Sequence, residues 1–373
     1  MPMDENTAFV NGFMDNFDLL NPGEPVFRQA VGISLEAVTP YILSHPSVED
    51  QNVMDRLAEP ELAASFRVVW LDDEGEARVN KGFFVRMNSA MGKCRGRLRF
   101  HSGVNMDIMK YLAYEQTFSN ALDEIPAGGC AAGSDFSARG KSDTEIMNFC
   151  QSFVTELHKY CGSSEFTAEI GVGEREAGFI YGQLHRLNGE KASRPSVLDV
   201  NACIVPEGLS GKTVALSGSG KTAQYVASAL SASGAKVVAM SDSEGFIYDR
   251  SGMDESKLAY VAELKNVFHG SLKRYVEKYP QAEYFSGEHP WSVKCDAAVA
   301  CACENEIDIN EAKKLLKNGC SLVYELSGMS SSAEASVFFA ASGIEYMPSC
   351  LSGEKCVKAF SRISEAMLSQ GLV

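Results

Sequence analysis

Residues 212–240 limit what this chain can fold into more than any other stretch. Lys212-Thr-Val-Ala-Leu-Ser reads as a short buried strand and Gly218-Ser-Gly-Lys-Thr-Ala223 as a tight glycine turn; a helix over 224–233 and a second strand over 235–240 follow. Apolar runs of this length, punctuated by glycine, are the pattern of a βαβ unit. Such units build open parallel sheets with helices on both faces, so a Rossmann-type α/β domain is expected here. Gly218 would permit the turn, Gly220 would let backbone approach a pyrophosphate, and Ala223 would supply the small residue where helix packs on strand. Ser219, Lys221 and the other residues opening the helix would present amides and a positive dipole end to the phosphates. The Gly-Ser-Gly-Lys-Thr string also imitates the end of a Walker A loop. A P-loop needs glycine at position 215, however, and Ala215 stands there inside the strand, so the dinucleotide reading is preferred. Ser241 and Asp242 lie about twenty residues past the turn, where ribose-contacting groups belong.

At 373 residues the chain has room for a second domain with its own core. Its 45% apolar and 22% charged residues are those of a soluble globular protein, and no run approaches the roughly 18 to 20 apolar residues of a membrane span. A net charge of −15 argues against a general electrostatic footprint for nucleic acid or anionic membrane, although the basic cluster from Lys93 to Arg99 could hold one anion. Eleven cysteines without a Cys-x-x-Cys pair favour neither a zinc site nor a disulfide framework, and Cys301-Ala-Cys303 is too close-set for a metal clamp. Reduced, mostly buried thiols are expected, and no metal. The acidic start Met-Pro-Met-Asp-Glu-Asn carries no leader pattern and Gln-Gly-Leu-Val no retention signal, so a cytoplasmic setting is expected.

Ahead of the βαβ unit, residues 1–20 and 26–43 show helical apolar spacing, ended by Asn21-Pro-Gly-Glu-Pro and by His45-Pro46. Residues 65–71 and 77–88 read as two strands joined by Asp72-Asp-Glu-Gly. Helices are expected at 105–121, at 142–160 with Ser142 and Glu145 as a capping box, and at 174–187. The irregular stretch 187–211 marks a domain boundary. It separates an N-terminal α/β substrate and assembly domain, residues 1–190, from the dinucleotide-binding domain, residues 191–352.

Pro126-Ala-Gly-Gly-Cys-Ala-Ala-Gly-Ser-Asp-Phe136, with Asn105-Met-Asp-Ile-Met-Lys-Tyr-Leu-Ala-Tyr-Glu-Gln-Thr-Phe before it and Gly140-Lys-Ser-Asp after it, resembles the active-site surroundings of glutamate dehydrogenases. The resemblance runs through both halves. It includes the F-R-V-x-W-x-D-D-x-G hairpin, Gly92-Lys-Cys-Arg-Gly-Arg-Leu-Arg-Phe-His, Thr167-Ala-Glu-Ile-Gly-Val-Gly, the S-D-S-x-G-F-I-Y-D segment typical of NADP users, and Cys301-Ala-Cys-Glu-Asn-Glu. It implies NADP as cofactor, with Asn305 among its contacts, and assembly into an oligomer through the first domain. The helix over 353–373 is similar to the family's last one and is expected to return to the first domain.

The same resemblance locates the departures. The family's glycine-rich turn carries a catalytic lysine where this chain has Ala131. Arg95 stands at a first substrate-binding lysine, keeping charge with a different fork geometry. Ser119 stands at a second, which removes the cation that meets the α-carboxylate. Glu169 replaces an aspartate, Arg97 a glycine, and Gly328 the asparagine facing the nicotinamide. Of the junction motif R-P-E-A-T-G-Y-G only Arg194-Pro195 remains, and the helices that should follow Ser349, with a substrate-binding serine, are absent. Oxidising glutamate needs a cation for each carboxylate, a lysine of lowered pKa and a proton-shuttling carboxylate. The expectation is therefore a catalytically impaired relative serving a structural or regulatory role, one form of which is co-assembly with an active glutamate dehydrogenase. The alternative is an active NADP-dependent oxidoreductase on glutamate, 2-oxoglutarate or a related amino acid, with a rearranged site.

Overall fold

Phe66, Val68 and Trp70 alternate with Arg67, Val69 and Leu71 along Leu62–Leu71 (β1), and this period of two buries the first set only. The strand pairs antiparallel with Ala77–Asn88 (β2), and Asp72 builds the turn between them by accepting the Glu74 and Glu76 amides at 3.1 and 2.8 Å. The computed structural model describes residues 5–197, 206–268 and 270–371. It divides into two units, one made of the residues up to Leu198 together with those from Cys350 on, the other of Asp199–Ser349. Residues 198–205 of the irregular stretch lie outside the described residues.

In the first unit, helices Glu5–Leu20 (α1), Pro25–Ser44 (α2), Pro46–Asp50 (α3) and Val53–Ala58 (α4) precede the hairpin. Strands Arg95–Phe100 (β3), Gly129–Ser134 (β4), Glu165–Ala168 (β5) and Ser196–Val197 (β6) complete a six-stranded sheet of order β1-β2-β4-β3-β5-β6. Met106–Leu122 (α5), Asp143–Cys161 (α6) and Glu174–Asn188 (α7) connect them. Ser142 and Glu145 form the expected capping box at the start of α6.

One expectation is corrected. The glycine-rich segment read as a turn is β4, a fully buried strand between β2 and β3. Its small residues are needed because backbone lies too close on either side for side chains. A Cβ on Gly96 of β3 would stand 1.8 Å from the Cys130 carbonyl oxygen, and one on Gly129 would stand 2.0 Å from Thr117 Oγ1 of α5.

The second unit carries a seven-stranded sheet of order β10-β9-β8-β7-β11-β12-β13. Its parallel strands are Thr213–Leu216 (β7), Lys236–Asp242 (β8), Ala297–Ala300 (β11), Leu322–Glu325 (β12) and Glu345–Met347 (β13). Gly245–Tyr248 (β9) and Glu283–Ser286 (β10) pair antiparallel at one edge. The helices are Lys221–Ala232 (α8), Glu255–Asn266 (α9), Tyr275–Lys278 (α10), Ile309–Lys317 (α11) and Ala333–Ser342 (α12). This is the doubly wound architecture expected, except that α8 starts about one turn earlier, directly at the glycine turn.

Gly353–Gln370 (α13) belongs to the first unit, where it buries Cys356, Phe360, Ile363 and Met367. Arg362 Nη1 donates to the Ala121 and Leu122 carbonyls at 2.8 and 3.1 Å, which satisfies the open end of α5.

Gly96→Ala should force β3 and β4 apart and destabilise the first unit by about 3 kcal/mol, read as a lower calorimetric melting transition. Gly178→Ala, in α7 with nothing within 4 Å of the added carbon, is the control and should leave that transition in place.

Candidate functional site

The face of the first unit's sheet that packs on α5 carries the polar cluster. On β3 the odd residues Arg95, Arg97 and Arg99 alternate with Gly96, Leu98 and Phe100, the last two being core. Arg97 makes two side-chain hydrogen bonds and one further ion pair. Its Nε donates to Gln116 Oε1 at 3.0 Å, Nη1 to Glu169 Oε1 at 3.0 Å, and Nη2 lies 3.1 Å from Glu115 Oε2. The second oxygen of Glu169 is held by Arg99 Nε at 2.9 Å. Gln116 passes the network to Asn120 at 2.8 Å, and Asn120 donates to the Arg95 and Gly128 carbonyls at 3.1 and 2.9 Å. Cys350 Sγ lies 4.0 Å from the Glu115 carbonyl.

The charges stabilise one another. Burial alone would raise the Glu169 carboxyl, but the Arg99 and Arg97 guanidiniums outweigh it and hold the group at about 2. Burial works against the Arg97 cation, yet Glu115 and Glu169 raise it above the ordinary arginine value. A guanidinium so held cannot take up or release a proton at neutral pH.

The residues singled out in the sequence divide as follows. Glu169 is in the cluster. Ala131 lies beside Arg97 in the β3–β4 register and is fully buried. Ser119 is half-buried on α5. The Arg95 backbone joins the network, whereas its guanidinium has no hydrogen-bonding or ionic partner among the described residues. Lys93 is taken by Glu165 at 2.8 Å, and Lys110 by Glu24 at 2.6 Å. Cys130 packs on the opposite face with the α6 side chains, donating to the Cys94 sulfur, and burial pushes its thiol well up. It is a buried thiol, turned away from Ala131. In the sequence Arg97 stands as a replaced glycine within the basic cluster from Lys93 to Arg99, with no partner assigned. The period of two from Arg95 was the available signal that it shares the face of Arg95 and Arg99.

In the second unit Gly218 adopts φ +83°, the left-handed turn that glycine allows, and a side chain on Gly220 would meet nothing within 4 Å. Gly220 caps α8 without a side-chain acceptor, so the turn can offer amides to a phosphate. Ser219 is buried, and Lys221 opens α8 at the surface. Ser241 Oγ accepts the Gly218 amide at 2.9 Å, tying the turn to β8. Asp242 is engaged within the protein: it accepts Lys265 Nζ at 3.1 Å, the Leu272 amide at 2.9 Å and the Glu244 amide at 2.9 Å. Asn305 and Met329 both have left-handed backbone, φ 54° and 48°, and are joined by the Asn305 amide to the Met329 carbonyl at 2.9 Å. Non-glycine residues in that region mark functional loops more often than ordinary ones. Asn305 Oδ1 is buried without a hydrogen-bond partner among the described residues, an acceptor that a bound amide or hydroxyl would satisfy. These residues fit a dinucleotide.

Glu306 went unnoticed in the sequence. Its Oε1 accepts Ser217 Oγ at 2.9 Å and the Ala302 amide at 3.1 Å, linking the end of β7 to the loop after β11. Burial raises its carboxyl to about 7. Among the described residues no group of three His, Cys, Asp or Glu side chains is placed to hold a metal, and no helix is long and apolar enough to cross a membrane.

A doubly wound nucleotide-binding unit together with an α/β unit carrying this cluster is the layout of a two-domain dehydrogenase. Comparison with known sequences narrows the class. The chain belongs to the Glu/Leu/Phe/Val dehydrogenase family: the dimerisation-domain model matches residues 60–186 and the glutamate/leucine/phenylalanine/valine dehydrogenase model residues 198–371. It is 38% identical over 365 residues to the NADP-specific glutamate dehydrogenase of Haemophilus influenzae, covering 91% of this chain and 81% of that protein. It is 41% identical over 351 residues to the NAD(P)-specific enzyme of Xylanibacter ruminicola, covering 88% and 79%. A solved glutamate dehydrogenase superposes with a TM-score of 0.88 at 30% identity, covering 98% of this chain and all of the other.

The Glu306 value sets a pH dependence. A carboxyl raised from 4.5 to about 7 in the folded state contributes stability that is complete below pH 4.5 and lost as pH rises through 7, up to ~3 kcal/mol. The second unit's melting temperature should fall over that window, and Glu306→Gln should flatten the profile and raise the value at pH 8.

Proposed function

We propose that this is a glutamate dehydrogenase-like protein of impaired catalysis that keeps a dinucleotide site and serves a structural or regulatory role within an oligomer. The observation that carries this reading is the neighbouring pair on the α5 face, where the buried Ala131 offers a methyl group and the half-buried guanidinium of Arg97 is closed onto Glu115 and Glu169. The relatives' reaction requires an amine there that can lose and regain a proton, and this cluster contains none. Loss of general acid–base help alone costs about 10²–10⁴-fold, with lost electrostatic stabilisation in addition.

Dinucleotide binding, with NADP as the cofactor named for the Haemophilus relative, is supported by the turn at Gly218, the N-terminus of α8 that no side chain caps among the described residues, and the buried Asn305 Oδ1, which has no hydrogen-bond partner among them. Self-association, or co-assembly with an active glutamate dehydrogenase, is supported by the dimerisation-domain match over residues 60–186. A second reading, an active oxidoreductase on a 2-amino or 2-oxo acid, is favoured by one feature. Arg95, whose guanidinium has no partner among the described residues, alternates onto the face of Arg97 and Arg99, which hold the ionised Glu169, a carboxylate anchor near a proton acceptor.

NADPH oxidation with 2-oxoglutarate and ammonium separates the two. The unmodified protein should turn over at least ~10⁴-fold more slowly than an active relative assayed in parallel, while a fluorescence titration still shows NADPH bound. Turnover at the relative's rate would favour the second reading, and absence of NADPH binding would remove the dinucleotide part of the first.

A further inference from the structure

Arg97 and Ala131 are lateral neighbours. β3 and β4 run parallel with Arg97 paired to Ala131, so their side chains leave the same face from strands about 4.8 Å apart. That face is the one under α5. A Cβ on Gly129 would meet Thr117 and one on Gly133 would meet Met109, both on α5, and Ala131 lies between them with the same orientation. A lysine at 131 would therefore point at the guanidinium that Arg97 now places between Glu115, Gln116 and Glu169. A lysine there would compete with Arg97 for Glu115 and Glu169 in a half-buried place and would repel the guanidinium.

The converse also holds. Glu115 is 2% exposed and pairs with Arg97, and Glu169 is shared between Arg97 and Arg99. We infer that Arg97 is the cation of this face relocated by one strand, from position 131 to position 97, and that Glu115 and Glu169 hold it as an internal ligand which closes the site to dicarboxylates. The inference rests on the reading above in taking position 131 as the place of the relatives' amine. An arriving carboxylate would have to displace one of two carboxylates already paired to the same planar fork. Arginine suits the place because Nε, Nη1 and Nη2 each meet one acceptor, a division that a lysine ammonium on a single stem would not match.

Four proteins test this: the unmodified chain, Ala131→Lys, Arg97→Gly, and the two substitutions together. Each is followed by melting temperature and by calorimetric titration with 2-oxoglutarate. Each single substitution should lower the melting temperature of the first unit, on the order of 10 °C. The double variant should recover most of the loss and bind 2-oxoglutarate where the unmodified protein does not. Additive losses in the double variant, or an unchanged melting temperature in Ala131→Lys, would overturn the inference.

If a single variant does not fold, Arg97→Met, which keeps the length and removes the charge, decides the matter by its pH profile. The charged groups on Glu169 are Arg97 and Arg99 of β3, and around Arg97 stand Glu115 and Tyr111 of α5 and Cys350 from the C-terminal segment. Glu169 is held at about 2 against an ordinary 4.5, so its contribution is present above pH 4.5 and lost as pH falls towards 2. The deficit of Arg97→Met should be greatest between pH 5 and 8 and narrow below pH 4.5. A deficit constant with pH would sink the charge argument. Turnover by the unmodified protein would count against impaired catalysis and leave the coupling between positions 97 and 131 to be decided by the melting temperatures alone.

Discussion

The side chain of Asn120 holds together what the first unit does. Buried on α5, it donates to the carbonyls of Arg95 and Gly128, the residues that lead into β3 and β4, and accepts from Gln116, which in turn holds Arg97. One amide thus fixes the start of two parallel strands and the arginine that projects from one of them. An unmade hydrogen bond in such a place costs more than a made one contributes, which is why a network of this kind permits a single arrangement.

Much of this architecture could be read from residue pattern. The helices at α1, α2, α5, α6 and α7, the β1–β2 hairpin and the βαβ unit at residues 212–240 were all set by local periodicity and by turn or cap chemistry such as Asp72 and Ser142. The β4 strand was not, because Gly-Cys-Ala-Ala-Gly-Ser has neither the bulk nor the branching of an ordinary strand. It is a strand because β2 and β3 pair with it on its two sides and α5 packs on its face, which is a tertiary cause. Likewise, Ala131, Ser119 and Glu169 could be marked as departures from a related pattern, but the meaning of Arg97 required its partners. Arg97 and Glu115 are eighteen positions apart and Arg97 and Glu169 seventy-two, and only the fold brings the three charges within 3.1 Å.

The second unit shows the opposite balance. Its glycine turn, its first helix and its two leading strands keep the relations that phosphate binding needs, and the local strain at Asn305 and Met329 is retained at the loop where a cofactor would be met. Asp242, by contrast, is turned inward to Lys265 and the Leu272 amide and serves the packing of β8 against α9 and the segment before α10.

The capping of α5 by Arg362 has a consequence for the order of synthesis. The helix that carries Glu115, Gln116 and Asn120 is closed by a residue of α13, which leaves the ribosome only after the whole second unit has been made. The nascent N-terminal portion must therefore wait with the end of α5 uncapped and the surfaces that meet Cys356, Phe360 and Ile363 uncovered. The second unit, contiguous from Asp199 to Ser349, has no such delay. During translation the order of completion is then the reverse of the order of synthesis, and chaperones would meet the first unit in this unfinished form.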